Sequence, residues 1–313
     1  MPVSVKVIGA GSIGNHLAHG CRSLGWKVTL VDLDHQALAR TREVIYPSRY
    51  GAWDDKIVLA APQEVLGEHF DLVIVGTPPA THLSIAMEEL QSTSPSLLLI
   101  EKPLSHPDQD AINSFVAVAA SSATRVLVGY NQRLKPNTLK FIEVAGSLDL
   151  GELKGLSSEM LESWDGIMKA HFWMSSEKDS YLAFSNQGGG ALLEHSHALN
   201  LFLYLAAQLD QGRAEEVSAS IEWVKHESGE YDRDSVLRIT LGSGLIGEVR
   251  QDLHSWPASK KARADFERGA LVWRMGESSD ALDYFSPEGE LLDQWDFPKT
   301  RPDDFLGELR HLG

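Results

Sequence analysis

The sequence predicts an α/β protein of two domains, a parallel sheet first and then a larger, open and mainly antiparallel one. Three observations carry this. Short apolar runs alternate with helical patterns from Val3 to about residue 130, a glycine-rich turn joins the first run to the first helical pattern, and beyond "NQRLKP" longer alternating stretches take over. Repeated strand-helix-strand units build a parallel sheet, whereas alternating stretches joined by tight turns build hairpins. A chain of 313 residues also suits two domains better than one.

The apolar runs are "VSVKVIG", "KVTLVDL", "KIVLAA", "DLVIVGT", "SLLLIE" and "RVLVGY". Each has the length of a buried strand. Between them Leu17, Cys21 and Leu24 recur at helical spacing, as do Leu83, Ala86, Met87 and Leu90. In the second half "SVLRITL" and "LIGEVRQDL" flank "GSG", and "ALDYF" and "LLDQWDF" flank "SPEGE", which predicts two hairpins. The boundary therefore falls near residues 125–135, giving domains 1–128 and 129–313. Six of the eight tryptophans (Trp164, Trp173, Trp223, Trp256, Trp273 and Trp295) lie in the second domain, where a half-buried sheet accommodates wide rings. Strands rich in tryptophan and leucine would leave an apolar face in water, so a homodimer or homotetramer built on that sheet is expected.

Acidic residues outnumber basic ones 44 to 28, a net charge of −16, which disfavours nucleic acid and anionic membranes as partners. A small molecule is the expected ligand. Cys21 is the single cysteine and no leader pattern opens the chain, which points to a reducing cytoplasm. No apolar run reaches the roughly 20 residues that a spanning helix needs.

"VIGAGSIGNHL" sets Gly9, Gly11 and Gly14 between the first strand and the first helix. The first glycine permits the turn, the second lets backbone approach a pyrophosphate, and the third packs helix on strand. Ser12 and Ile13 open the helix, whose first N–H groups suit phosphate charge. Asp32 closes the second strand 18 residues after Gly14, about where a ribose-binding acid is expected. A carboxylate there accepts hydrogen bonds from ribose hydroxyls and repels a 2′-phosphate, and no arginine follows before Arg40, so NAD is favoured over NADP. Asp32 could instead cap the next helix, a task open to Asp34 as well.

"GGGALLEHSHALN" brings Glu194, His195, His197 and Asn200 behind three glycines. On one helix Glu194 and His197 would share a face while His195 pointed elsewhere. Oxidising an alcohol needs a base for the hydroxyl proton, and an imidazole suits that work. His197 is the candidate base, with Glu194 orienting it or holding a substrate hydroxyl. "EHSH" lacks a second ligand at helical spacing, so no metal is expected.

"GAGSIG", "VIVGTPPATH", "IEKPLS" and "VGYNQRLKP", in this order, resemble the Gfo/Idh/MocA family, the oxidoreductases related to glucose–fructose oxidoreductase and inositol dehydrogenase. "GELKG" and "GGGALLEHSHALNLFLYL" extend the resemblance over nearly the whole chain. It implies an N-terminal Rossmann domain, a C-terminal α/β domain with a large open sheet, and a sugar-like substrate over the nicotinamide. The family's Glu-Lys-Pro motif falls on Glu101, Lys102 and Pro103, which implies that Lys102 reaches both the substrate hydroxyl and the nicotinamide ribose. A cation there stabilises developing alkoxide charge. Thr77, Pro78 and His82 are implied to pack against the cofactor, although His82 could simply sit in a first helical turn. Asn131 and Gln132 are implied near the nicotinamide. Arg133 points toward substrate or serves as a structural ion-pair partner.

Asn200 stands where relatives usually carry an aspartate, so acid chemistry at that position is lost. Tyr130, Trp164, Asp165, His171 and Trp173 are candidates for lining a sugar pocket, the tryptophans being equally suited to sheet core. "DDFLGELRHLG" resembles the start of a helix that continues in relatives, which suggests a shortened member or a missing segment. The expected activity is NAD-dependent hydride transfer at a hydroxyl-bearing carbon of a sugar, polyol, sugar acid or sugar derivative. A redox-neutral enzyme that keeps its NAD, and a nonenzymatic sugar or nucleotide sensor, are the alternatives.

Overall fold

The computed structural model describes residues 3–169, 174–300 and 302–312. The chain divides into two compact units, one of Met1–Gly129, Asn186–Gly188 and Phe305–Gly313, the other of Tyr130–Ser185 and Gly189–Asp304.

In the first unit β1 (Ser4–Ile8), α1 (Ser12–Ser23), β2 (Lys27–Val31), α2 (His35–Arg40), α3 (Tyr46–Tyr50) and β3 (Ile57–Ala60) form one half. The other half is β4 (Leu72–Val75), α4 (Pro79–Ser92), β5 (Leu97–Ile100), α5 (Gln109–Ser121) and β6 (Arg125–Val128). All six strands coincide with the six apolar runs. They pair in parallel in the order β3-β2-β1-β4-β5-β6, so the chain direction across the sheet reverses between β1 and β4. That reversal matters because it opens a crevice at the carboxyl ends of these two strands, where ligands of such sheets bind. Continuous apolar strands follow from burial on both faces: Val5, Val7 and Ile74 pack with Leu17 and Cys21 on one side, Val73, Val75 and Leu98 with Leu83, Ala86 and Leu90 on the other.

In the second unit α6 (Pro136–Ser147) precedes β7 (Leu153–Leu161), then come α7 (Trp164–Lys169), α8 (Ala191–Glu194) and α9 (His197–Gln208). The strands β8 (Ala214–His226), β9 (Gly229–Leu241), β10 (Ile246–Asp252), β11 (Ser259–Phe266), β12 (Gly269–Met275), β13 (Ser279–Phe285) and β14 (Leu291–Pro298) complete an eight-stranded sheet, before α10 (Asp303–Leu312). Its order is β14-β13-β12-β11-β7-β10-β9-β8, antiparallel except where β10 meets β7. Both predicted hairpins are present, as β9–β10 and β13–β14.

Two expectations need correction. The closing segment from Phe305 groups with the first unit and not with residues 129–304, because Phe305 and Leu309 are buried against Leu17 and Cys21 of its core. Nor does the large sheet present an apolar open face. Leu156, Met160, Ile239, Val249, Leu271 and Trp273 turn to one side and pack with α6 and α9. The alternate positions carry ion pairs instead: Lys261–Glu159 at 3.1 Å, Arg263–Asp265 at 2.6 Å and Arg274–Asp283 at 2.6 Å. Trp273 is fully buried whereas Trp256 is 69 % exposed, so the tryptophan count does not mark one face. Charge placed across a pleat from an opposite charge keeps such a face compatible with water.

Candidate active site

The first unit gathers its polar groups at the carboxyl ends of β1, β4 and β5. Gly9 follows β1 with φ +107°, and a Cβ on Gly14 would lie 1.8 Å from the Gly9 carbonyl oxygen, so neither position tolerates a side chain. Space above Gly11 is open. Asp32, just beyond β2, accepts the Ala10 N–H at 2.7 Å through one oxygen and the Asp34 N–H at 2.9 Å through the other. Helix α2 is capped by Asp34, which accepts from the Gln36 N–H at 2.8 Å. The two aspartates thus divide the tasks that the sequence left open, and Asp32 braces the glycine turn. Each of its oxygens keeps a second lone pair for a ribose hydroxyl.

Other side chains at this turn were not found from the sequence. Asn15 donates to the Gly11 carbonyl at 2.8 Å, the Thr41 hydroxyl donates to the Ala10 carbonyl at 2.6 Å, and Arg49 donates to Ser12. The turn is therefore fixed by side chains on both sides of it. Polar residues facing a glycine-rich turn from the following helix are a signal, but it depends on a register that periodicity alone does not supply.

At the end of β5 the Glu101 N–H donates to the Val75 carbonyl at 2.9 Å, which aligns the start of the Glu-Lys-Pro segment with the end of β4. Glu101 is buried and Lys102 half-buried. The Glu101 carboxyl is one of a buried pair with Glu308 of α10, whose pKa is pushed up to about 8 by burial and by the Glu101 charge. His82 corrects an expectation. It is 1 % exposed, with Nε2 2.7 Å from the Thr77 carbonyl oxygen and Nδ1 2.9 Å from that of Pro103. Both nitrogens face backbone, so the ring ties the loop after β4 to the loop after β5 and offers no atom to a cofactor. Burial holds its pKa below the usual imidazole range. Thr77 is half-buried and accepts the Thr81 hydroxyl at 2.8 Å, while Pro78 is exposed.

The second unit holds the other candidates. Glu194 ends α8 and His197 begins α9, with a turn at His195 and Ser196 between them. This breaks the single helix on which the shared face of Glu194 and His197 was argued, so spacing no longer decides between the histidines. His195 is buried and His197 is half-buried, its ring 5.5 Å from that of Tyr130 and edge-on to it. Helix α8 is anchored from the sheet: Asp232 of β9 accepts the Leu192 N–H at 2.7 Å, and Gln251 of β10 donates to the Leu192 carbonyl at 2.9 Å. Burial raises the Asp232 pKa.

Asn200 accepts from Arg133 Nε at 2.6 Å, and the guanidinium lies 5.2 Å from the Tyr204 ring centroid. Arg133 thus has a structural partner in Asn200, a neutral amide taking the position from which an aspartate would have made an ion pair. Asn131 and Gln132 are buried and use their amide N–H groups within this unit, on the Asp304 carbonyl at 2.8 Å and the Met275 sulfur at 3.4 Å. Those bonds occupy their amide N–H groups, while the side-chain carbonyl oxygens of both have no hydrogen-bond partner among the described residues. Trp164 likewise donates to the Tyr231 hydroxyl at 3.2 Å. Asp165 is exposed, and His171 and Trp173 lie outside the described residues.

Among the described residues one cluster has metal-ligand spacing, Asp234, Asp252 and His254, and it includes no residue of "EHSH". Asp252 already accepts the Ser255 hydroxyl and N–H, as a turn residue does.

Residues 3–130 match the family described as "Oxidoreductase family, NAD-binding Rossmann fold". No curated protein matches the chain by sequence. Solved structures share the fold at low identity. GenD2 from gentamicin A biosynthesis, in complex with NAD, is 18 % identical with a TM-score of 0.74 over 99 % of this chain and 85 % of its own. A 3-ketoreductase from Actinomadura kijaniata in complex with NADP and TDP-benzene is 16 % identical with a TM-score of 0.75 over 100 % and 89 %. A UDP-N-acetylglucosamine 3-dehydrogenase from Acidithiobacillus ferrooxidans is 16 % identical with a TM-score of 0.68 over 100 % and 90 %.

Proposed function

We propose, from the match of residues 3–130 to the NAD-binding Rossmann-fold oxidoreductases of the Gfo/Idh/MocA family, that the protein is an NAD-dependent dehydrogenase of a sugar, polyol, sugar acid or sugar derivative. One observation carries the reading: the braced glycine turn, Asp32, Thr77 and Lys102 all lie at the carboxyl ends of neighbouring parallel strands. The turn and the first N–H groups of α1 suit a pyrophosphate, and Asp32 suits a ribose. When bound, the nicotinamide supplies the hydride acceptor. In this reading Lys102 stabilises the alkoxide that forms as the substrate hydroxyl is oxidised, and His197 takes the hydroxyl proton. The sugar nucleotide named for one solved structure of this fold, the UDP-N-acetylglucosamine 3-dehydrogenase, supports the substrate class.

Absorbance of reduced nicotinamide across a panel of sugars, sugar acids, polyols and nucleotide sugars, with NAD and NADP in parallel, tests the proposal. Net NADH formation with at least one of them is expected. Substrate turnover with no net NADH would favour the redox-neutral alternative, and NAD binding without any turnover would favour a sensor.

A further inference from the structure

Helix α2, a π-helical turn at Thr41–Ile45 and α3 run without a break from His35 to Tyr50. In a regular α-helix two residues eight apart, such as Thr41 and Arg49, would lie about 80° apart around the axis. A π turn absorbs one extra residue, so their separation becomes that of seven, about 20° short of two full turns. Both side chains consequently reach the glycine turn. Thr41, fully buried, donates its hydroxyl to the Ala10 carbonyl. Arg49 donates through Nη1 to the Ser12 carbonyl at 2.8 Å and through Nη2 to the Ser12 hydroxyl oxygen at 2.8 Å.

The second of these bonds has a chemical consequence. A guanidinium can only donate, so the Ser12 oxygen is the acceptor, and the single hydroxyl hydrogen must be directed to some other group. Ser12 is 9 % exposed, and no described residue accepts that hydrogen. It opens α1, where the N-cap Gly11 supplies no side chain to the first-turn N–H groups and the space over Gly11 is clear. An anion seated on that helix start meets the backbone donors and the outstanding serine hydrogen together. Accepting a bond from a cation also polarises the hydroxyl and makes it a stronger donor.

We infer that Arg49 is a positioning residue that aims the Ser12 hydroxyl at a phosphate oxygen of the dinucleotide, and that the π turn exists to bring Arg49 to that place. The inference rests on the dinucleotide reading above and names a part of that site which the glycine motif does not contain. Arg49 acts through Ser12, so the two residues form one unit in binding.

The test is titration of ADP-ribose, which carries the pyrophosphate, and of adenosine, which does not, into the wild type, Arg49→Met, Arg49→Lys, Ser12→Ala and the Arg49→Met/Ser12→Ala pair. A hydrogen bond to a charged group is worth about 1.5–3 kcal/mol, so each single loss should weaken ADP-ribose on the order of 10-fold to 100-fold. Adenosine affinity should stay within about twofold of wild type. The double variant should be no weaker than the worse single one, and Arg49→Lys should recover part of the loss because an ammonium can still donate to the serine oxygen. Equal losses for adenosine and ADP-ribose would overturn the inference, since Arg49 would then shape the fold alone, and so would a double loss equal to the product of the singles. A wild-type protein that bound adenosine and not ADP-ribose would overturn the dinucleotide reading itself and this inference with it.

Discussion

The glycine turn of the first unit and the broken helix of the second are both short polar segments laid against a buried sheet, but they are held from different distances along the chain. Asp32, Thr41 and Arg49 fix the turn from within about 40 residues of it. Asp232 and Gln251 fix the segment from Ala191 to His197 from 40 and 59 residues beyond Leu192, across two strands of the other sheet. The difference teaches where each site can be altered. Changes near the turn act on ligand binding through neighbours in sequence, whereas changes near α8 act through the large sheet.

The comparison is sharpened most strongly by catalysis. Lys102 belongs to the first unit and His197 to the second. If they serve one hydroxyl, Lys102→Ala and His197→Ala should each slow hydride transfer by about 100-fold to 10,000-fold while leaving NAD affinity within a few-fold of wild type. Their effects should not multiply, because both act on one transition state. Stopped-flow absorbance on wild type, the two single variants and the double, with any active sugar, reads this directly. Undiminished transfer in His197→Ala would pass the role of base to His195 or Glu194.

A stability effect nearly as large should separate the regions. In the second unit Lys135 and Lys299 form a buried group with Asp280 and Asp304, with Lys135 Nζ 3.0 Å from Asp280 and Lys299 Nζ 2.9 Å from both aspartates. Burial lowers the Lys135 pKa, the aspartates opposing it. Lys135→Met leaves two buried carboxylates to one lysine, and removing one partner of such a group typically costs about 3–5 kcal/mol. Urea unfolding should show that loss, and a change below about 1 kcal/mol would mean that water reaches the cluster.

The first unit carries a pH-dependent term of the order of a few kcal/mol at most. Glu308, with its pKa raised to about 8, is protonated at neutral pH in the folded protein and ionised when unfolded. The native state therefore holds the extra proton, and stability from this group is complete below the ordinary glutamate range and is lost as pH rises through about 8. Glu308→Gln keeps the neutral shape. Its melting temperature should fall less than that of wild type between pH 6 and 9, and parallel curves would place the proton elsewhere.

How much was legible follows the same division. All six parallel strands, the glycine turn and Asp32 lie in local patterns, because buried strands of such sheets read as unbroken apolar runs. The second sheet was legible only as its two hairpins. Strand β7 interleaves Leu153, Leu156 and Met160 with glycine, serine and charge, and its parallel neighbour β10 comes some 90 residues later, so no local signal pairs them. The turn at His195 and Ser196 that separates Glu194 from His197 was not legible, because no proline or glycine announces it. The partners of His82 and Asn200 were hidden for another reason: both residues match a motif position, but the Pro103 carbonyl and Arg133 that they meet are set by tertiary structure.

The smallest effect lies at Asp32, where cofactor choice is decided. Its two oxygens already accept N–H groups from Ala10 and Asp34, so the carboxylate is held in place before any ligand arrives, with lone pairs left for two ribose hydroxyls. A 2′-phosphate would meet this fixed negative charge, and the side chain cannot swing away without releasing Ala10. NAD should therefore bind more tightly than NADP. Asp32→Ser removes the repulsion and also one brace of the turn, so NADP should gain and NAD should lose, each by about 1–2 kcal/mol, the scale of a single charge-assisted hydrogen bond. The gap between the cofactors then narrows from both sides. Titration calorimetry with NAD and NADP on both proteins measures it, and wild-type binding of NADP as tight as NAD would show that a cation compensates the Asp32 charge. Loss of NAD affinity alone, without a gain for NADP, would leave Asp32 as a brace of the glycine turn and remove it as the selector.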